Sequence, residues 1–138
     1  MPERITADAV MTDRGVDETT SLTMEYGQGH MSVMNVSMKY MNRRKGTICG
    51  TKGYAEVDDV NCLKSLKVYN EHSELIAEYT NPKVSNGYLF ELDSTVKAMC
   101  EGRTDTPECP HHEILQRMAV LDEIRRNTGL RYPFEQDE

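Results

Sequence analysis

Catalysis needs acids, bases, nucleophiles or metal ligands within reach of one another, and this chain holds few such groupings. Cys109-Pro110-His111-His112 gathers a thiol and two imidazoles. Neighbouring histidines point in different directions on a helix, and no fourth ligand is spaced to close a tetrahedron. The segment therefore reads as a helix entry and not as a metal centre. Gly27-x-Gly29-x-x-Ser32 has the outline of a dinucleotide fingerprint. That fingerprint works only before a helix whose N-terminus holds the pyrophosphate, and here a strand follows, so it reads as a hairpin turn. His30 and His72 fall in or beside turns, and spacing yields no Ser/His/Asp or Cys/His pair. Asp17-Glu18 and Asp58-Asp59 sit at strand ends, where solvated turns are expected in place of acid–base work. Arg43-Arg44-Lys45 is the one basic run. It would suit an anionic substrate or a cofactor phosphate, but a charged strand edge that blocks aggregation is the preferred reading. No catalytic, cofactor-binding or metal-binding residue is assigned on this chain.

The composition narrows the class. With 16 basic and 23 acidic side chains among 138 residues the net charge is −7, which argues against a phosphate-backbone (nucleic-acid) binder. No apolar run approaches the ~20 residues of a transmembrane helix, and Met1-Pro2-Glu3-Arg4 does not open a signal peptide. Cys49, Cys62, Cys100 and Cys109 form no Cys-x-x-Cys pair, so free thiols in a reducing cytosol are expected. The length corresponds to one domain over residues 1–138.

The elements that would position side chains come in two kinds. From Arg4 to Ala77 the pattern predicts about seven strands: Arg4–Thr12, Thr19–Tyr26, His30–Tyr40, Arg43–Cys49, Tyr54–Val57, Ser65–Tyr69 and Glu74–Ala77. Beyond them the period changes. Leu89, Leu92, Val96 and Met99 make the apolar stripe of a helix over Tyr88–Cys100, stopped by Gly102. A second helix runs from about Pro110 to Gly129, with Ile114, Met118, Leu121 and Ile124 as its buried stripe and Glu113–Arg117 and Asp122–Arg126 as surface pairs. Strands followed by helices predict an α+β fold: a largely antiparallel twisted sheet with two main helices on one face. Glu135–Glu138 is an acidic tail.

The other sheet face is expected to mediate dimerisation. A two-residue loop at Gln28-Gly29 would pair Tyr26 with Met31, Met24 with Val33 and Leu22 with Asn35 on the helix-covered face. Thr23–Met34, Ser21–Val36 and Thr19–Met38 would then share the second face. Six of nine methionines lie on or beside the first three strands, and Met is common at surfaces buried late. Met34, Val36 and Met38 are the dimer-interface candidates.

Several stretches, in one order, resemble a known family. They are Gly15-Val16-Asp17-Glu18, Tyr26-Gly27-Gln28-Gly29, Ile48-Cys49-Gly50-Thr51-Lys52-Gly53-Tyr54, Gly87-Tyr88 with Glu91, and Cys100-Glu101-Gly102. Pro107 to Pro110, then Met118, Leu121-Asp122, Ile124-Arg125, Gly129-Leu130 and Tyr132-Pro133 complete the set. Together they resemble the C-terminal α/β domain of the Gfo/Idh/MocA oxidoreductases, close to the dihydrodiol dehydrogenase-like branch. The resemblance implies a parent enzyme whose N-terminal Rossmann domain binds NAD or NADP and whose catalytic lysine and histidine lie outside this sequence. It further implies that this piece is truncated, walls the substrate pocket of a sugar- or diol-type dehydrogenase, supplies a dimer contact and is inactive alone. The alternative is a stand-alone, non-enzymatic dimeric binding module.

Overall fold

The computed structural model describes residues 1–82 and 87–135. Seven strands precede two helices: β1 Arg4–Met11, β2 Asp17–Tyr26, β3 His30–Ser37, β4 Gly46–Gly50, β5 Gly53–Asp58, β6 Ser65–Asn70, β7 Leu75–Thr80, α1 Tyr88–Cys100 and α2 His111–Thr128. The α+β reading holds. The strands divide between two antiparallel sheets, ordered β1-β2-β3 and β4-β5-β6-β7. The chain correspondingly forms two compact units, one of residues 1–41 and 107–138, the other of residues 42–106. Of the acidic tail, residues 136–138 lie outside the described part of the chain.

In the first unit alternation does what the sequence asks of it. Ile5 and Ala7 of β1 and Leu22, Met24 and Tyr26 of β2 share one face, where Ala7, Leu22 and Met24 form the buried cluster. Helix α2 closes it through Val120 and Ile124, four residues apart and so one above the other on a helix face. The expected stripe differs: Ile114, Met118 and Leu121 remain exposed. A core of three buried residues needs only one turn of helix over it. Glu113 and Arg117 pair as expected, at 2.7 Å. Arg126 pairs with Glu123 at 2.8 Å, and Asp122 takes Arg125 at 3.2 Å, three residues away in each case.

The β2–β3 hairpin departs from expectation by one residue. Its loop is Gly27–Gly29, with Gln28 and Gly29 both left-handed (φ 64° and 78°), and Tyr26 pairs with His30. Met24 therefore faces Ser32, Leu22 faces Met34 and Thr20 faces Val36. A one-residue slip moves every side chain to the other face. Met34 and Val36 thus join the Leu22 face, whereas Met31 and Val33 share the opposite face with Glu25 and Thr23.

In the second unit the Ile48–Tyr54 motif is the β4–β5 hairpin, closed by the Gly50–Gly53 pair. Tyr54 and Tyr69, directly opposite on β5 and β6, stack with ring centroids 4.8 Å apart. Helix α1 occupies the predicted span and is followed by left-handed Gly102 (φ 69°). Its stripe of Leu89, Leu92, Val96 and Met99 is exposed, and Ala98 is its buried residue. Among the described residues no helix is long and apolar enough to cross a membrane.

Candidate functional site

The sequence-level candidates for chemistry resolve into separate local roles. Asp17 accepts a hydrogen bond from the Thr20 hydroxyl at 2.8 Å, while Glu18 takes the Lys39 ammonium at 3.0 Å. The two carboxylates serve different partners and do not work as a pair. His30 lies opposite Tyr26 at the hairpin, and His72 is an exposed turn residue 3.6 Å from Glu71. The Cys109 sulfur lies 3.1 Å from Nη1 of Arg117 at the start of α2. Among the described residues no group of three His, Cys, Asp or Glu side chains is arranged to hold a metal ion.

The acidic pair Asp58-Asp59 is where the structure is more specific than the sequence. Asp59 is only 6% exposed, against the solvated turn expected. Its carboxylate meets Arg44 and Lys64, each at 3.2 Å, and accepts the backbone N–H groups of Asn61 and Cys62 at 3.3 and 3.4 Å. Burial pushes this carboxyl upward, but the Lys64 ammonium, the Asn61 N–H and Arg44 together outweigh it and hold it below the ordinary range. Asp58 takes Lys45 at 3.6 Å. Two members of the basic run are thus neutralised within the chain, which favours a structural role over recruitment of an external anion. The signal was present in the sequence as Asp59-x-Asn61, an Asx turn, with Asp59 adopting the left-handed conformation (φ 60°) that Asp tolerates.

A cleft of about 490 Å³ lies at the C-terminal end of α2, between Asp122, Arg125, Arg126, Leu130, Arg131 and Glu135. Its centre is an internal clamp. Both oxygens of Glu135 lie 2.5 Å from Nη2 of Arg125, and the guanidinium sits 4.4 Å from the Tyr132 ring centroid. The Arg125 hydrogen bond and the Tyr132 N–H together hold the Glu135 carboxyl below its ordinary range. Arg125 is therefore committed to the C-terminal turn of its own chain. Sequence spacing gave no signal for a pair ten residues apart across a helix end.

The interface candidates are close together and exposed. Met34, Val36 and Met38 are 41%, 56% and 70% exposed, the first two on β3 and the third just beyond it. With Met31 and Val33 on the other face, β3 displays apolar side chains on both sides. This strand, and not a constellation of titratable groups, is the strongest candidate for function.

Comparison with known proteins supplies the context. No protein-family profile matches the chain. It is 23% identical over 137 residues to trans-1,2-dihydrobenzene-1,2-diol dehydrogenase of Xenopus tropicalis, covering 96% of this chain and 42% of that enzyme. The enzymes of the same name from Sus scrofa and Macaca fascicularis are 26% and 27% identical, with 96% of this chain and 41% of each relative covered. The chain resembles the C-terminal part of the dihydrodiol dehydrogenases. It spans about two fifths of the length of these relatives. The fold agrees. An aldose-aldose oxidoreductase from Caulobacter crescentus, complexed with glycerol, superposes with a TM-score of 0.73 at 16% identity, over 91% of this chain and 38% of that one. A UDP-N-acetylglucosamine 3-dehydrogenase from Acidithiobacillus ferrooxidans gives 0.74 at 17% identity, over 92% and 40%. Both are oxidoreductases by name, the class of enzyme that the motif order implied.

Proposed function

We propose that this chain is the C-terminal part of an NAD(P)-dependent dehydrogenase acting on a sugar or a cyclic diol, and that it is not catalytically competent alone. In the parent enzyme a separate Rossmann domain would bind NAD or NADP. Hydride would pass between a substrate C–H and the nicotinamide there, and this part would wall the pocket and orient the substrate, a proximity contribution. One observation carries the reading: 96% of this chain is accounted for by 41–42% of each dihydrodiol dehydrogenase. The names of the relatives support the substrate class, since a dihydrobenzenediol, an aldose and an N-acetylglucosamine nucleotide are all ring compounds or sugars bearing neighbouring hydroxyls. A second role, self-association through Met34, Val36 and Met38, is supported by the exposure of these side chains. Four cysteines outside any disulfide suit a reducing cytosol.

The test is a titration of the purified chain with NADH, followed by nicotinamide fluorescence. No change up to millimolar cofactor is expected. Micromolar affinity would overturn the assignment.

A further inference from the structure

We infer that the β5–β6 connection, residues 59–64, is a clasp in which one carboxylate, Asp59, holds both the point where the chain enters the four-stranded sheet and the point where it leaves. All of its parts lie in the second unit. Strands β5 and β6 are the middle of that sheet, and β4 and β7 have a ladder on one side only. The registers bring four strand ends together. Gly46 at the start of β4 opposes Val57, Asp58 at the end of β5 opposes Ser65, and Ser65 also opposes Thr80 at the end of β7. The entering segment, the β5–β6 connection and the residues after β7 therefore share one end of the sheet. A strand laddered on one side frays from its end unless something beyond the ladder fastens it.

Both fastenings run to this connection. On the entering side the Val60 N–H donates to the Arg44 carbonyl at 2.7 Å, and the Val60 side chain sits against Gly46, where a Cβ would come within 3.2 Å of it. On the leaving side Asn81 donates twice, its backbone N–H to the Lys64 carbonyl at 2.9 Å and its side-chain Nδ2 to the Leu63 carbonyl at 3.0 Å. The Asp59 carboxylate divides its oxygens. Oδ1 accepts the Asn61 and Cys62 N–H groups at 3.3 and 3.4 Å and so fixes the turn of the connection itself. Oδ2 lies 3.2 Å from the Arg44 guanidinium and 3.2 Å from the Lys64 ammonium. A single oxygen thus ties the entering segment to the residue whose carbonyl receives the leaving one. These are charge-assisted contacts at a buried residue, where water competes least.

The backbone of the entering segment is under tension. Arg44 is left-handed (φ 48°), a conformation that is costly for arginine and persists only where the surroundings impose it. Here they are the Asn42 side-chain oxygen, which accepts the Arg44 N–H at 2.9 Å, the Val60 N–H on the Arg44 carbonyl, and Asp59 on the guanidinium. Without the charge on Oδ2 the segment relaxes toward ordinary backbone and the Val60 bond goes with it. On the other side Lys64 is released and the Asn81 bonds loosen.

Asp59→Asn tests this. The amide keeps an oxygen for the Asn61 and Cys62 N–H groups and tolerates the left-handed backbone, but it removes the charge that holds Arg44 and Lys64. Amide hydrogen exchange of the full chain, read residue by residue by heteronuclear NMR, follows the Val60 and Asn81 N–H groups as reporters of the two sides, with Ala55 and Val68 in the middle strands as the reference. We expect protection at both reporters to fall at least about tenfold while the reference changes less than about twofold. Lys64→Met, which cuts the leaving side alone, should lower protection at Asn81 and spare Val60. If Asp59→Asn exposes one reporter and not the other, the two sides are separate contacts and there is no clasp; unchanged protection at both overturns it as well. If the variant lowers the reference equally, Lys64→Met and Arg44→Met decide: each must release its own side alone, and any other pattern overturns the clasp.

Discussion

Gly53, the second glycine of the Ile48–Tyr54 motif, offers a sharp test of how the second unit is held together. Its φ of 144° lies where L-residues are strained, and a Cβ there would overlap the Tyr69 carbonyl oxygen and come within 2.9 Å of the Asn70 Cα. The crowding has a local cause. The Asn70 N–H bonds to Glu74 on the β7 side, so Gly53–Asn70 is the narrow, non-hydrogen-bonded kind of pair and Tyr54–Tyr69 is the bonded kind. Alanine at 53 therefore incurs a backbone strain of about 1–3 kcal/mol. Relief of the overlap must also stretch the two Tyr54–Tyr69 bonds, each contributing about 0.5–1.5 kcal/mol. A loss of about 2–6 kcal/mol is expected for Gly53→Ala. Gly50→Ala is the control, since a Cβ there meets the Gly53 carbonyl oxygen at 3.5 Å, an ordinary contact. Urea unfolding followed by far-UV circular dichroism, with the near-UV tyrosine signal reporting the Tyr54–Tyr69 stack, measures both. If Gly53→Ala is within about 1 kcal/mol of Gly50→Ala, the backbone account is wrong.

Three further outcomes follow from burial and charge. Leu22→Ala, at a residue 7% exposed in a core of three, should cost about 2–3 kcal/mol, the low end for such truncations because the site is small and open to collapse. Leu92→Gln on the exposed stripe of α1 should change stability by less than about 0.5 kcal/mol in the same denaturation assay, whereas a buried stripe would lose several times more. The Asp59 carboxyl is held below its ordinary range, so its contribution is fully present above pH ~4 and is lost as pH falls through the lower folded value. Asp59→Asn keeps the left-handed backbone and should flatten the acid limb of a stability–pH profile below pH ~4; an unchanged limb would remove Asp59 from the account.

The sequence disclosed most of the fold and little of the site. All seven strands and both helices were legible because period-two and period-3.6 apolar patterns are set locally and survive without knowledge of neighbours. What depends on distant partners was hidden. Gln28 in a left-handed turn is a choice that many residues refuse, and it added the residue that moved Met34 and Val36 to the Leu22 face. The expected stripe on α2 is apolar enough to be read as buried, yet of its members only Ile124 packs on the core, with Val120 beside it, because the sheet places Ala7, Leu22 and Met24 under those two. Asp59 looked like one more surface acid, and only its meeting with Arg44 and Lys64 distinguishes it. Family likeness was legible for the converse reason: glycines at obligatory turns and helix stops recur in order even when the side chains around them change.

The Gly27–Gly29 loop has an evolutionary consequence. Its tip is exposed at Gln28 and Gly29, the kind of place where a deletion is ordinarily harmless. Here the loss of Gln28 leaves a two-residue loop, Gly27 and Gly29, that the same Tyr26–His30 pair can close, so Met34 and Val36 keep their places opposite Leu22 and Thr20. The two glycines supply the left-handed backbone that such a short loop needs. The length of this tip is thereby free to vary between lineages while β3 keeps showing the same side chains on each face.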